Sequence, residues 1–172
     1  MNSAETFIAV AVAVVACGFD LRTRRIPNVL TFGAALLAMA FNVVAHGSSG
    51  FMTASGGWLL GVVLFLPFFA LGGMGAGDVK LLGAIGAWLG PETVLQVALY
   101  SVLAGGVFAL VVALRTGYLR QALLNLKMLI TMWLMTGLRP VEEITLAGQQ
   151  NAPRLAYALP MLAGVLVTVW RQ

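Results

Sequence analysis

Three features of the sequence predict an all-helical, polytopic integral membrane protein with about six transmembrane helices and a cytoplasmic interfacial helix. Of its 172 residues, 60% are hydrophobic and 9% are charged, against roughly 25% charged residues in soluble domains. Its mean hydropathy is +0.96. From Ile26 to Gly77 there is no Lys, Arg, Asp or Glu, a stretch of 52 residues where a single crossing needs only about 20. Such a composition leaves no room within these residues for a large soluble catalytic domain.

The first span is read over 3–19, with Glu5 ahead of the apolar core and Arg22, Arg24 and Arg25 behind it. That order is the reverse of a secretory signal, which carries its basic residues first. Val14-Val15-Ala16-Cys17 does resemble a lipid-attachment box, but the charge order argues against it. Cys17 is the single cysteine, so an internal disulfide and a CxxC zinc knuckle are excluded and it is read as a small packing residue.

The uncharged stretch must fold back once. His46-Gly47-Ser48-Ser49-Gly50 is the turn-forming cluster that separates spans at 29–45 and 53–71. Two crossings return the chain to its starting side, so Arg22 to Arg25 and Asp78-Val79-Lys80 face one compartment. Arg115, Arg120, Lys127, Arg139 and Arg154 fall on that side as well, and only Arg171 lies opposite. An excess of Lys and Arg marks the cytoplasm, which puts both termini outside.

A short fourth span over 78–89 leads to a turn at Pro91-Glu92, a fifth span over 93–114 and a last one over 155–170. Between them, in 115–154, Leu119, Leu123, Leu126, Ile130 and Trp133 recur at helical spacing with Arg120, Gln121 and Lys127 among them. This pattern suits a helix lying in the inner interface, or a re-entrant one, because the apolar run 128–138 is too short to span alone. Pro67 and Pro160 fall inside predicted spans and are expected to kink them. There is no internal repeat, and 1–172 is read as one membrane-embedded domain.

The acidic residues number six, Glu5, Asp20, Asp78, Glu92, Glu142 and Glu143. Asp20 closes the first span and Asp78 opens the fourth, so the only two aspartates share a depth at the cytoplasmic boundary. An ionisable side chain at membrane depth costs about 2.5 to 3.5 kcal/mol on insertion scales and is seldom present without a partner. Two close carboxyls cannot easily hold two negative charges and come to share a proton. The ionised member can take a proton from water while the protonated member hydrogen-bonds a substrate carbonyl, which is aspartic-protease chemistry.

Structural readings stand beside these. Asp20 can pair with Arg24 four residues on, and Asp78 can cap a helix, which is compatible with catalysis. Gly72-Gly73-Met74-Gly75-Ala76-Gly77 places four glycines in six residues just before Asp78, allowing close approach of another helix or an extended peptide. The Gly73/Gly77 and Gly86/Gly90 spacings suit helix packing. Pro27 suits the first turn of the second span and Asn28 can help place the loop over the site. Lys80 can tune the aspartates or anchor its helix. His46 has no second metal ligand in view, no Gly-Lys-Ser/Thr follows the glycines, and the arginines read as topology and lipid anchors. No metal, cofactor or nucleic-acid partner is therefore expected.

Two segments carry a family resemblance. Asp20-Leu21-Arg22-Thr23-Arg24-Arg25-Ile26-Pro27-Asn28 resembles the first motif of the type IV prepilin peptidases, and Gly75-Ala76-Gly77-Asp78-Val79-Lys80 resembles their GxGD motif, shared with the wider class of intramembrane aspartyl proteases. Pro153-Arg154-Leu155-Ala156-Tyr157-Ala158 is more loosely similar to the start of the family's last span. The resemblance implies an inner-membrane endopeptidase with Asp20 and Asp78 as catalytic pair and Gly75, Gly77, Lys80, Pro27 and Asn28 shaping the site. The implied substrate is a prepilin or pilin-like helix, cut at its short basic leader on the cytoplasmic face. The paired CxxC insert of the larger bifunctional members is absent from these residues, so a peptidase without N-methyltransferase activity is expected, similar to the short enzymes of Flp or tight-adherence pili. A proton-coupled transporter using the aspartates as a relay, and a non-catalytic assembly subunit, are the competing readings.

Overall fold

The computed structural model describes residues 3–70, 73–115, 117, 124, 127, 131 and 156–171. They form four helices by hydrogen-bond pattern, α1 (Ser3–Thr23), α2 (Asn28–Ala70), α3 (Ala76–Arg115) and α4 (Ala158–Trp170), and no strand occurs among the described residues. Three of them, α1, α2 and α3, are long and apolar enough to cross a membrane. Most of the segment read as interfacial, 115–154, lies outside the described residues.

Two of the helices are broken. Gly47, with φ 65° and ψ −143°, interrupts α2, and Gly90, with φ 79° and ψ 172°, interrupts α3. Both conformations lie where a Cβ is unwelcome, so glycine is the residue that can reverse a helix there. Reversal follows from the contacts: a methyl group on Gly50 would run into the Asn42 carbonyl, and one on Gly86 would lie 3.0 Å from Val94 Cγ2. Eight residues along an unbroken helix are about 12 Å apart, so each helix folds back as a hairpin. The interruptions fall within or next to the segments read as turns from sequence, but each is a single residue, and helical structure resumes sooner than expected, at 48 and 91.

One of the two prolines differs from expectation. Helical dihedrals run on through Pro67, and Pro160 sits in the first turn of α4. A residue in a first turn has no intrahelical acceptor to lose, so Pro160 starts the helix without kinking it.

The chain separates into two compact units, Met1–Gly105 with Ala156–Gln172, and Gly106–Leu155. The second is described chiefly as the end of α3. In the first, the arm of α3 before Gly90 is the centre: every residue from Asp78 to Gly90 except Lys80 is buried. A helix buried on all faces must be enclosed by others. Gly57 and Gly61 of α2 bring its backbone against Gly86 and Leu82, and Phe41 meets Trp88 with ring centroids 5.7 Å apart. Helix α1 turns a stripe of small residues, Ala9, Ala13, Ala16 and Cys17, inward and leaves Phe7, Val14, Val15 and Leu21 exposed. Small inner faces and large outer residues are how helices associate where lipid replaces water. Helix α1 packs chiefly on α4.

Candidate active site

Four helix ends meet at one end of the first unit. Helix α1 ends in a sequence whose Arg24 adopts φ 53°, with the Arg24 N–H donating to Asp20 O at 2.9 Å. Thr23 Oγ1 lies 2.9 Å from Phe19 O and 3.0 Å from Arg25 O, tying the last turn to the loop. Pro27 O then accepts from the Leu30 and Thr31 N–H groups at 3.1 and 3.3 Å and opens α2.

Asp20 is 7% exposed although it lies one turn from the end of α1. Its Oδ2 accepts the Ala158 N–H at 3.2 Å, a bond to the first residue of α4. Asp78 is 8% exposed and is the third residue of α3. The Gly75 N–H donates to Asp78 Oδ2 at 3.0 Å, and the Asp78 N–H donates to Gly75 O at 3.1 Å. The first of these bonds is the return half of a capping box, with Gly75 at the N-cap and Asp78 at the third position, and the second is a backbone turn bond beside it. Asp78 therefore caps from inside the helix and is not the N-cap residue itself. A carboxylate there is also favoured by the helix dipole.

Asp20 and Asp78 are within electrostatic reach of each other, and Tyr157 is within reach of Asp78. The two aspartates singled out from sequence are thus brought together, both buried, 58 positions apart in the chain.

The remaining motif residues link the two loops. A Cβ on Gly77 would lie 3.3 Å from Ile26 Cβ, so the second glycine of GxGD is the seat of Ile26. Gly75 supplies the N–H that Asp78 accepts. Lys80 Nζ donates to Asn28 Oδ1 at 2.9 Å and lies 5.1 Å from the centre of the Phe32 ring. Lys80 therefore joins α3 to the start of α2, and of the two roles open to it the contacts favour the anchor.

Sequence reasoning missed Ile26 as a packing partner, Phe32 under Lys80, and the α4 end at Asp20. Only the last had a signal. The final helix starts with no Ser, Thr, Asp or Asn as N-cap, and Tyr157 makes no side-chain cap, so its first N–H groups needed an acceptor from elsewhere.

The larger described cavity, about 790 Å³, lies at the other end of the bundle, lined by Thr6, Thr53, Gly90, Glu92 and Val169 among others. The aspartates are about 20 Å of helix away from it along α1 and α3, so cavity size is a poor guide to the chemistry here. No cluster of three His, Cys, Asp or Glu side chains that could hold a metal occurs among the described residues.

Residues 7–110 match the type IV leader peptidase family. The chain belongs to this family. It is 36% identical over 102 residues to the prepilin leader peptidase/N-methyltransferases of Burkholderia pseudomallei strains 1026b and K96243, an alignment covering 56% of this chain and 33% of theirs. The match thus spans about a third of the length of these curated relatives. No solved structure matches the chain. The family match includes both aspartates and stops before α4.

Proposed function

We propose that this member of the leader peptidase family is an intramembrane aspartic endopeptidase that removes the short basic leader of Flp-like type IV prepilins at the cytoplasmic face of the bacterial inner membrane. The observation that carries the reading is that the only two aspartates of the sequence are both buried at one end of the bundle, within electrostatic reach of each other. A carboxyl pair there supplies acid and base. One ionised carboxylate takes a proton from water, whose oxygen attacks the scissile carbonyl. The other, protonated, donates a hydrogen bond to that carbonyl oxygen and stabilises the tetrahedral intermediate. Proton return to the leaving amine completes hydrolysis.

The substrate's basic leader would stay in the cytoplasm while its apolar helix enters the bilayer beside the enzyme, with lipids as the other partners. Six crossings with both termini outside accord with the two helix hairpins and with the charge distribution of the sequence. Of the two activities in the relatives' names, we assign the first to these residues. The test is co-expression with a prepilin: Asp20→Asn and Asp78→Asn should each abolish the mobility shift of leader removal while membrane insertion persists. Full processing by both single variants would sink the assignment, and proton flux without proteolysis would favour a transporter.

A further inference from the structure

We propose that the amino end of α4 is a third element of the active site, with the Ala158 N–H acting as a positioning donor that fixes the Asp20 carboxylate. This rests on the leader-peptidase reading. Asp20 lies in the last turns of α1, where the unsatisfied carbonyl ends of a helix disfavour a carboxylate. A buried acceptor in that position needs a donor from another element, and Ala158 supplies one at 3.2 Å. Ala158 is itself fully buried and opens a helix without a side-chain cap of its own. Asp20 thus caps α4 in trans, and each end satisfies the other.

The donor is held rigidly. A methyl group on Gly164 would run into Ser101 Oγ, Gly105 takes Tyr157 and Pro160 against its open face, and α1 packs on α4. Tyr157, one residue earlier, is near enough to Asp78 to feel its charge. With Oδ2 committed to Ala158, Oδ1 is the oxygen left for water or the shared proton. Ala158 lies outside the region that matches the family, and it acts through Asp20.

The test is an amide-to-ester exchange. Cell-free synthesis into nanodiscs with lactic acid in place of Ala158 deletes the N–H and keeps the side chain. The same exchange at Leu159, whose N–H donates to Ala156 O at 3.3 Å, removes a first-turn bond that does not reach Asp20. The ester at 158 should lower kcat for prepilin cleavage about ten- to a hundredfold with KM unchanged, as for a hydrogen bond to a charged group. The ester at 159 should change neither by more than about twofold. Equal losses at the two positions, or none at 158, would overturn the proposal and leave the leader-peptidase reading standing. No cleavage by the unmodified chain would overturn both. Should the 158 ester not fold, an alanine-¹⁵N-labelled chain gives the answer: the Ala158 amide resonance should move on Asp20→Leu, which deletes the acceptor, while that of Ala163 stays. An unmoved Ala158 resonance would equally overturn the proposal.

Discussion

Asp78 and Asp20 reach the same end of the bundle by opposite routes. Asp78 is held inside its own turn, its carboxylate and its N–H both bonded to Gly75 three residues back. Asp20 is held by a donor 138 residues away, on a helix that must first dock. A carboxylate fixed locally keeps its geometry wherever its helix goes, whereas one fixed across the fold depends on assembly of the bundle. One aspartate is placed by its motif and the other by packing.

The largest effects should fall on both equally. Asp20→Asn and Asp78→Asn each remove a group needed for proton transfer, for a loss of roughly a hundred- to ten-thousandfold in the cleavage rate, measured on a purified prepilin. Asn keeps an acceptor oxygen for Gly75 or Ala158, so thermal unfolding should move little. An unequal result, with one Asn variant retaining activity, would make the pair asymmetric in function as it is in structure.

Gly57→Ala should come next and act on folding. Its Cβ would run into the Gly86 carbonyl, and backbone cannot give way as a flexible side chain does. A cost of about 3 kcal/mol, at the upper end of overpacking effects, predicts a lowered melting temperature in detergent and poor recovery of folded protein. The Gly75–Asp78 pair would survive in its own turn while Asp20 loses its partner. A melting temperature equal to that of the parent would show that the close α2–α3 approach is not needed.

The same asymmetry governs how far the site could be read from sequence. The spacing of charges around an uncharged 52-residue stretch, with the positive-inside rule, was enough to put Asp20 and Asp78 at one depth. GxGD carries its own local geometry, so Asp78 and its glycines were legible, down to an acid at a helix start. The bond from Ala158 was not, because a backbone N–H has no residue identity. Ile26 belongs to the first motif, yet its seat on Gly77 depends on the link after α1 meeting the first turn of α3, which periodicity does not encode. Pro160 misled for a related reason: it is a breaker only if its helix extends back past it, and that is decided by where α4 begins.

Gly77→Ala tests the seat of Ile26. The new Cβ would lie 3.3 Å from Ile26 Cβ, tighter than ordinary contact but able to yield by a few tenths of an ångström. We expect about 1 kcal/mol of strain, read as a severalfold fall in kcat, and partial recovery in the Gly77→Ala/Ile26→Ala double variant. Recovery would locate the strain in the contact between the loop after α1 and the first turn of α3. No recovery would mean that the glycine is needed for the path of the substrate.

The smallest effect should belong to Lys80. Its bond to Asn28 and its place over Phe32 are at the surface of the bundle, where such contacts contribute on the order of 0.5 kcal/mol. Lys80→Met and Asn28→Ala should each lower the melting temperature slightly and kcat by less than about threefold. Removing both should cost little more than removing one, because the second variant deletes a partner already lost. Strictly additive losses would separate the two residues. Lys80 would then act directly on Asp78 and Asp20, two positions from the acid that its own helix carries, and the site would have a charged member in addition to its two carboxyls.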